Sequence, residues 1–272
     1  MAHTAQERYS TLVDAKLRKT LITKDNVIFN TNYEGDPKAG AVKIPVRSTE
    51  VGARDYDKAN GLAVQEGSTT YITVTIDKDK AVNELIDGYD AASVPDGIVA
   101  ERLDSAGYSL AKTLDIDGIA ELETGGTTLA NTTALTKTTA YEAIVDARTA
   151  LSDEGVPTDS RWLIVTPAVY ALLLKSSDFI KQADLGQELV ATGAIGQIAG
   201  FTVYESNNMS ASTEFIAGHP QWAHRVEEWS VPVSVVSLTG SGTYIGASAV
   251  QGRKVYAHKV SNPKAVVVKT KA

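Results

Sequence analysis

The chain has 272 residues, 43% of them hydrophobic and 22% charged, with a formal net charge of −7 and no cysteine. That is apolar material for one large core or two modest ones, and the missing thiols exclude disulfides, thiolate catalysis and cysteine-ligated zinc. An acidic chain without a basic run is a poor dedicated DNA reader, because phosphates are held mainly by Lys and Arg.

No apolar run approaches the roughly 20 residues that span a bilayer, and the amino terminus is polar, without a signal-peptide core. A soluble protein made in a cytoplasm, with no membrane partner, is expected. Leu17 and Leu21 lie four apart, which allows a short amphipathic helix after Thr11 as well as a frayed terminal arm. Val27-Ile28-Phe29 then leads to a turn-rich stretch, Tyr33–Gly40. Ala41–Arg47 alternates over its first half like a half-buried strand, and Pro45 argues for an edge position. Thr70–Ile76 alternates cleanly, with Tyr71, Thr73 and Thr75 on one face and Ile72, Val74 and Ile76 on the other. Between them lies a polar excursion, Ser48–Thr69, carrying Arg54, Asp55, Tyr56, Asp57 and Lys58. The pattern predicts a long two-stranded hairpin with a charged tip. Such a hairpin is marginal alone in water, so the rest of the chain or a neighbouring molecule must cover it.

Asp77–Lys80 alternates in charge and reads as wet surface. From Pro95 onward, Val99, Leu103, Ala106, Leu110, Leu114, Gly118 and Leu122 recur at helical spacing, and Gly125-Gly126 ends the run. Glu101, Arg102, Asp104, Ser109, Lys112 and Asp115 are expected on a solvated face. The narrow stripe suits a helix laid across a sheet. After a threonine-rich loop, Thr127–Thr138, the pattern becomes α/β. Thr139 and Glu142 have capping-box spacing, and Ile144, Ala147, Arg148 and Leu151 continue that helix to Gly155 and Pro157. Trp162–Val165 is a continuous apolar run, as in a buried strand. Thr166-Pro167 supplies a cap and a first-turn proline for a helix over Ala168–Leu174. Phe201–Tyr204, Phe215–Ala217 and Val231–Leu238, with Pro232 near its start, read as strands. Lys254–Val260 and Ala265–Lys269 form a strand pair that returns to earlier parts of the chain.

Motifs that carry chemistry are missing. His3, His219, His224 and His258 are scattered, and His219 and His224 are separated by Pro220 at a spacing that does not suit helical metal ligands. There is no nucleophile elbow and no phosphate loop. Gly240–Gly246 reads as a turn. Asp115-Ile-Asp117-Gly118 fails as a calcium loop because Ile119 stands where a third oxygen ligand is needed. No catalytic residue, metal or cofactor is expected, and the chain does not read as an enzyme.

One stretch carries a resemblance. Arg161–Leu174, Asp178-Phe-Ile180, the segment from Gly193 through Gly196, Gly200 and Phe201 to Asn207, and Phe215–Pro220 together resemble the axial domain of tailed-bacteriophage major capsid proteins with the Hong Kong 97-type fold. In that family a strand ending in Thr-Pro leads to a helix, and a Gly-x-Ile-Gly-x-Ile-x-Gly-Phe-x-Val segment leads to the next strand. The resemblance implies an α+β fold with an amino-terminal arm (1–40), an extended hairpin loop (41–80), a peripheral domain with a spine helix (81–126), an axial domain (127–240) and carboxy-terminal strands returning to the peripheral domain (241–272). It implies a self-assembling icosahedral head shell, built of pentamers and hexamers in a bacterial cytoplasm, enclosing double-stranded DNA held non-specifically. A separate scaffolding protein and a portal would be partners. Arg54, Asp55, Asp57 and Lys58 would meet a neighbouring subunit, and Lys58 and Asn262 are conceivable partners in an isopeptide cross-link of the kind some relatives form. The alternatives are an encapsulin-type nanocompartment shell of similar length, which would package an enzyme, and a small-ligand enzyme on the α/β half with the hairpin as a lid.

Overall fold

The computed structural model describes residues 18–23, 27–47, 51–93, 98–176, 196–240 and 242–272. The helix expected after Thr11, Asp178–Ile180, Gly193–Ile195 and His3 lie outside these. The expected hairpin forms: β1 (Ala41–Arg47) and β2 (Thr69–Thr75) pair antiparallel, with Ile44 opposite Ile72. Its base is anchored because Ile44 and Val74 pack on Val226 and Ala257 in a small apolar cluster. The alternation works as read, since Val74 is buried while Tyr71, Thr73 and Thr75 are exposed.

A second sheet has the order β3 (Lys78–Ile86), β10 (Ser248–Val260), β9 (Ala223–Ser237), antiparallel throughout. The Asp77–Lys80 charge run is wet as expected, but Lys78–Lys80 belong to β3, a strand that the sequence pattern did not predict. Its charges hid the strand because one face is solvated, while Val82 and Ile86 help cover Ala106 and Val250. Strand β9 also begins earlier than expected, so Pro232 is mid-strand, where the β9–β10 register shifts between Gln251 and Arg253. A bulge on an edge strand tolerates the missing N–H.

The short helix α1 (Gly88–Ser93) precedes the 28-residue helix α2 (Ile98–Gly125), which lies on one face of this sheet. Ala106, Leu110, Leu114 and Leu122 are its buried apolar ridge, as the spacing required. A Cβ on Gly252 would come within 3.2 Å of Leu110 and 2.7 Å of Val233, so the glycine allows the helix to settle closely on β10. The hairpin base packs on the sheet's opposite face: Tyr256 and His258 point to α2, and Ala257 between them points to the hairpin.

The third sheet is mixed and six-stranded, in the order β4 (Thr127–Thr128), β11 (Val266–Thr270), β8 (Thr213–Gly218), β5 (Trp162–Val165), β7 (Phe201–Glu205), β6 (Gln197–Ile198). Strand β5 is fully buried because it feeds two cores. Leu163 and Val165 face α3 (Thr139–Asp153) and α4 (Pro167–Leu174), and Trp162 and Ile164 face Ile28, Phe29 and Leu122. The two carboxy-terminal strands separate: β10 lies beside β3, and β11 lies between β4 and β8.

The helix starts divide as well. Thr166 accepts a hydrogen bond from the Val169 amide, with Pro167 in the first turn, as expected. The capping box at Thr139 does not form. The cap position falls on Thr138, which makes no side-chain cap, and the Thr139 hydroxyl donates to the Ala134 carbonyl instead. Competition from the local Thr136–Thr139 hydroxyl cluster is the reason.

Candidate assembly surfaces

Residues 51–68 project from the hairpin, and the hydrogen bonds of Arg54 and Asp57 stay within the loop. The tip is an ordered turn. Asp57 O accepts from the Gly61 amide at 2.8 Å, Asp57 Oδ1 accepts from the Ala59 amide at 2.8 Å, and Oδ2 accepts from Asn60 Nδ2 at 2.6 Å. The Ala59 amide bond is the main reason that the Asp57 carboxyl sits below its ordinary pKa. Gly61, with φ +70°, is the glycine this turn requires. Arg54 crosses the loop to Gln65 Oε1 at 3.0 Å. Asp55 and Lys58 have no hydrogen bond or ion pair among the described residues.

The loop is also apolar where it is most exposed. Val64 is 96% and Tyr56 71% exposed, and Val51 and Leu62 are exposed beside them. Scattered surface hydrophobics need no explanation, but these share one arm that the described chain does not cover. The face of the β3–β10–β9 sheet away from α2 carries a second such set: Trp229 is 45% exposed and Leu85 and Val236 are exposed too. Arg253 lies over the Trp229 ring at 5.3 Å and donates to Asp79 at 2.8 Å, which holds the indole in place. At the end of the same sheet Ile245 is 92% exposed, with Tyr89 and Tyr244 also exposed.

The strap of residues 18–23 and 27–35 is built differently, on polar contacts that are buried at their inner end. Asp115 was expected in solvent but is only 1% exposed. Its Oδ1 accepts from the Ile22 and Thr23 amides at 3.0 and 2.8 Å, and its Oδ2 accepts from Asn208 Nδ2 at 2.7 Å. Higher on α2, Tyr108 accepts from the Lys19 amide at 2.7 Å, and Arg18 pairs with Asp104. The inner end of this stripe, at Asp115, is a docking track rather than a wet surface, while Asp104 and Ser109 remain exposed as expected. No local spacing separates the two, because the strap lies some eighty or more positions away in sequence.

Beyond the track, Phe29 is fully buried beneath Arg225, whose guanidinium lies 5.1 Å from the ring centroid. Arg225 donates to the Thr23 carbonyl and to His258 Nε2 at 3.2 Å. His258 is therefore an acceptor, and burial first, then the nearby cations Arg225 and Lys78, push its pKa down to about 3. Asn30 exchanges backbone hydrogen bonds with Ala223 and Arg225, continuing the strap beside β9.

His219 and His224 are structural as well. His219 Nδ1 accepts from the Gln221 amide at 3.1 Å, and His224 Nε2 bonds Ser261 at 2.9 Å. Among the described residues no group of three or more His, Cys, Asp or Glu side chains could hold a metal ion. Asn262 caps a short turn by accepting from the Lys264 amide at 3.1 Å, and no hydrogen bond joins it to Lys58.

The whole arrangement has counterparts. A structure of Mycobacterium phage Che8 superposes with a TM-score of 0.81 at 22% identity, covering 97% of this chain and 96% of that one. The capsid of Cyanophage P-SCSP1u gives 0.81 at 15% identity, over 98% and 93% of the two chains. The mature capsid of bacteriophage PhiM1 gives 0.74 at 15%, over 99% and 92%. No curated protein matches the chain in sequence. The family model of phage capsid proteins matches residues 84–268, from β3 and the spine helix through β11. With that span matched and the fold shared over nearly the full length of capsid subunits, the chain belongs to the phage capsid protein family, as a structural subunit of the Hong Kong 97-type fold.

Proposed function

We propose that this chain is the major capsid protein of a tailed phage head, closing into an icosahedral shell of pentamers and hexamers around double-stranded DNA. The observation that carries this reading is the arm of residues 51–68, whose exposed apolar side chains the described residues of the same molecule do not cover. A neighbouring subunit covers them by presenting its Trp229 face. Such a head-to-tail contact closes into rings when the rotation allows. Asp55 and Lys58 pair across subunits, while Arg54 and Asp57 also hold the tip in shape. Each exposed pair is worth only about 0–1 kcal/mol, and repetition over several neighbours makes the sum decisive.

The net charge of −7 suits a container that lets DNA enter and leave, with the genome held non-specifically. Assembly proceeds in the host cytoplasm on a separate scaffolding protein and a portal, with the amino-terminal arm, hairpin, peripheral and axial segments as its working parts. A link between Lys58 and Asn262 of adjacent subunits, if made, forms an amide from Nζ to the carboxamide carbon and releases ammonia. A boiled denaturing gel of particles that shows only monomer excludes it.

Electron microscopy of particles made by the chain together with its scaffolding protein tests the main claim. Closed shells are expected from the wild type. Deletion of Ala53–Gly61 is expected to leave a folded chain that forms none. Normal particles from the deletion overturn the role given to the arm.

A further inference from the structure

The sequence contains one Asn-Gly pair, Asn60-Gly61, and it stands exposed at the tip of the hairpin arm. Such a pair carries a chemistry of its own. Glycine has no side chain to shield its backbone nitrogen, and its free φ lets that nitrogen swing toward the preceding carboxamide. Gly61 N then bonds to Asn60 Cγ. The Gly61 amide proton passes to solvent, while Asn60 Nδ2 takes up a proton and leaves as ammonia. A five-membered imide remains, and water opens it at either carbonyl. The product at position 60 is aspartate or isoaspartate, with one water consumed, one ammonia released and no change of oxidation state.

Both reacting groups are tied to a single residue. The Gly61 amide donates to Asp57 O at 2.8 Å, so that bond must break before the nitrogen loses its proton or turns toward Cγ. Asn60 Nδ2 donates to Asp57 Oδ2 at 2.6 Å, which fixes the carboxamide. Donation to a carboxylate also pushes electron density toward Cγ and makes it a poorer electrophile. Bonds from the Ala59 amide and then the Asn60 side chain hold the Asp57 carboxyl below its ordinary range. The clamp therefore stays charged at the mildly alkaline pH that favours loss of an amide proton.

Modification would alter the tip in two ways. Arg54 and Lys58 balance Asp55 and Asp57, so a new carboxylate leaves the tip with a net negative charge. It also replaces the amide nitrogen beside Asp57 Oδ2, where two like charges repel. Isoaspartate further lengthens the backbone by one carbon in a turn closed between Asp57 and Gly61. We infer that Asn60 is a deamidation site held shut by the Asp57 turn, and that its modification disables the arm as a contact surface. The second half of this inference rests on the shell reading above.

The unassembled full chain is incubated at mildly alkaline pH, in buffer and in guanidinium chloride, and peptides spanning residue 60 are followed by mass spectrometry. Deamidation in the folded chain is expected to be roughly tenfold slower than in the unfolded one, the rate equivalent of one hydrogen bond to a charged group. Asp57→Ala is expected to approach the unfolded rate in buffer while keeping the wild-type unfolding midpoint, because the tip is exposed. Equal rates in the folded and unfolded wild type, or an unchanged rate in Asp57→Ala, overturn the clamp. The wild-type comparison uses no substitution, so it decides the matter even if Asp57→Ala misfolds. Asn60→Asp is expected to lose most particles when assembled with the scaffolding protein. Particles from Asn60→Asp in wild-type yield overturn the effect on contact and leave the clamp standing. No particles from the wild type overturn the shell reading and that second half with it, while the clamp is judged by its own rates.

Discussion

Replacing Asp115 with alanine removes a buried carboxylate that holds two backbone amides and one carboxamide at 2.7–3.0 Å. A hydrogen bond to a charged group contributes about 1.5–3 kcal/mol net. The three share one acceptor and do not add fully. The Ile22 and Thr23 amides are also left buried without partners, at about 1–3 kcal/mol for each unsatisfied donor, or about 2–6 kcal/mol for the two. That range is the expected loss for Asp115→Ala, against a total stability of about 5–15 kcal/mol for a typical domain. Asp115→Asn keeps one acceptor oxygen, so its loss should be roughly half as large. Urea unfolding of the unassembled chain measures both. If the strap is docked as described, Asp115→Ala also accelerates hydrogen exchange at Ile22 and Thr23 before it affects β5. A midpoint change equivalent to less than about 0.5 kcal/mol, the scatter of ordinary surface substitutions, would refute the docking-track argument.

Other outcomes follow from the same contacts. The folded pKa of His258 lies near 3, below the ordinary imidazole value of 6.5, so the unfolded chain binds the extra proton first. Stability is thus fully present above pH 6.5 and falls as pH drops toward 3, at up to about 1.4 kcal/mol per pH unit from this one group. His258→Gln should flatten part of that slope in urea titrations at several pH values, with buried His219 and His224 contributing the rest in the same direction. Gly218→Ala places a Cβ 2.7 Å from the Trp162 ring, which is fully buried, and should cost about 1–3 kcal/mol with an altered tryptophan emission. Phe29→Ala empties a fully buried site under Arg225 and should cost about 3–5 kcal/mol in the same unfolding assay.

Several features were legible in the sequence because their causes are local. Alternation placed Ile72 and Val74 inward on β2, helical spacing found the α2 ridge, and the continuous run Trp162–Val165 announced a strand covered on both faces. Thr166-Pro167 fixed a helix start for the same reason: cap and first turn are neighbours in the chain. Strand β3 was missed because a strand with one wet face and alternating charges has the same local signature as a polar loop. Only pairing with β10, some 170 residues away, distinguishes it.

Asp115 marks the boundary most clearly. Its helical position is set by spacing, and that spacing correctly puts it off the apolar ridge. Whether the off-ridge face meets water or another segment depends on where residues 18–30 return, and nothing local encodes that. The hairpin arm shows the converse. Sequence alone determined that Ser48–Thr69 is too long and too polar to stand unsupported, since a short ribbon buries too little to hold itself. The tertiary structure decided which of its residues bond across the ribbon, because the inward and outward rows are set by the register of β1 on β2. That register puts Pro45 in the outward row, where its missing N–H costs no bond to β2.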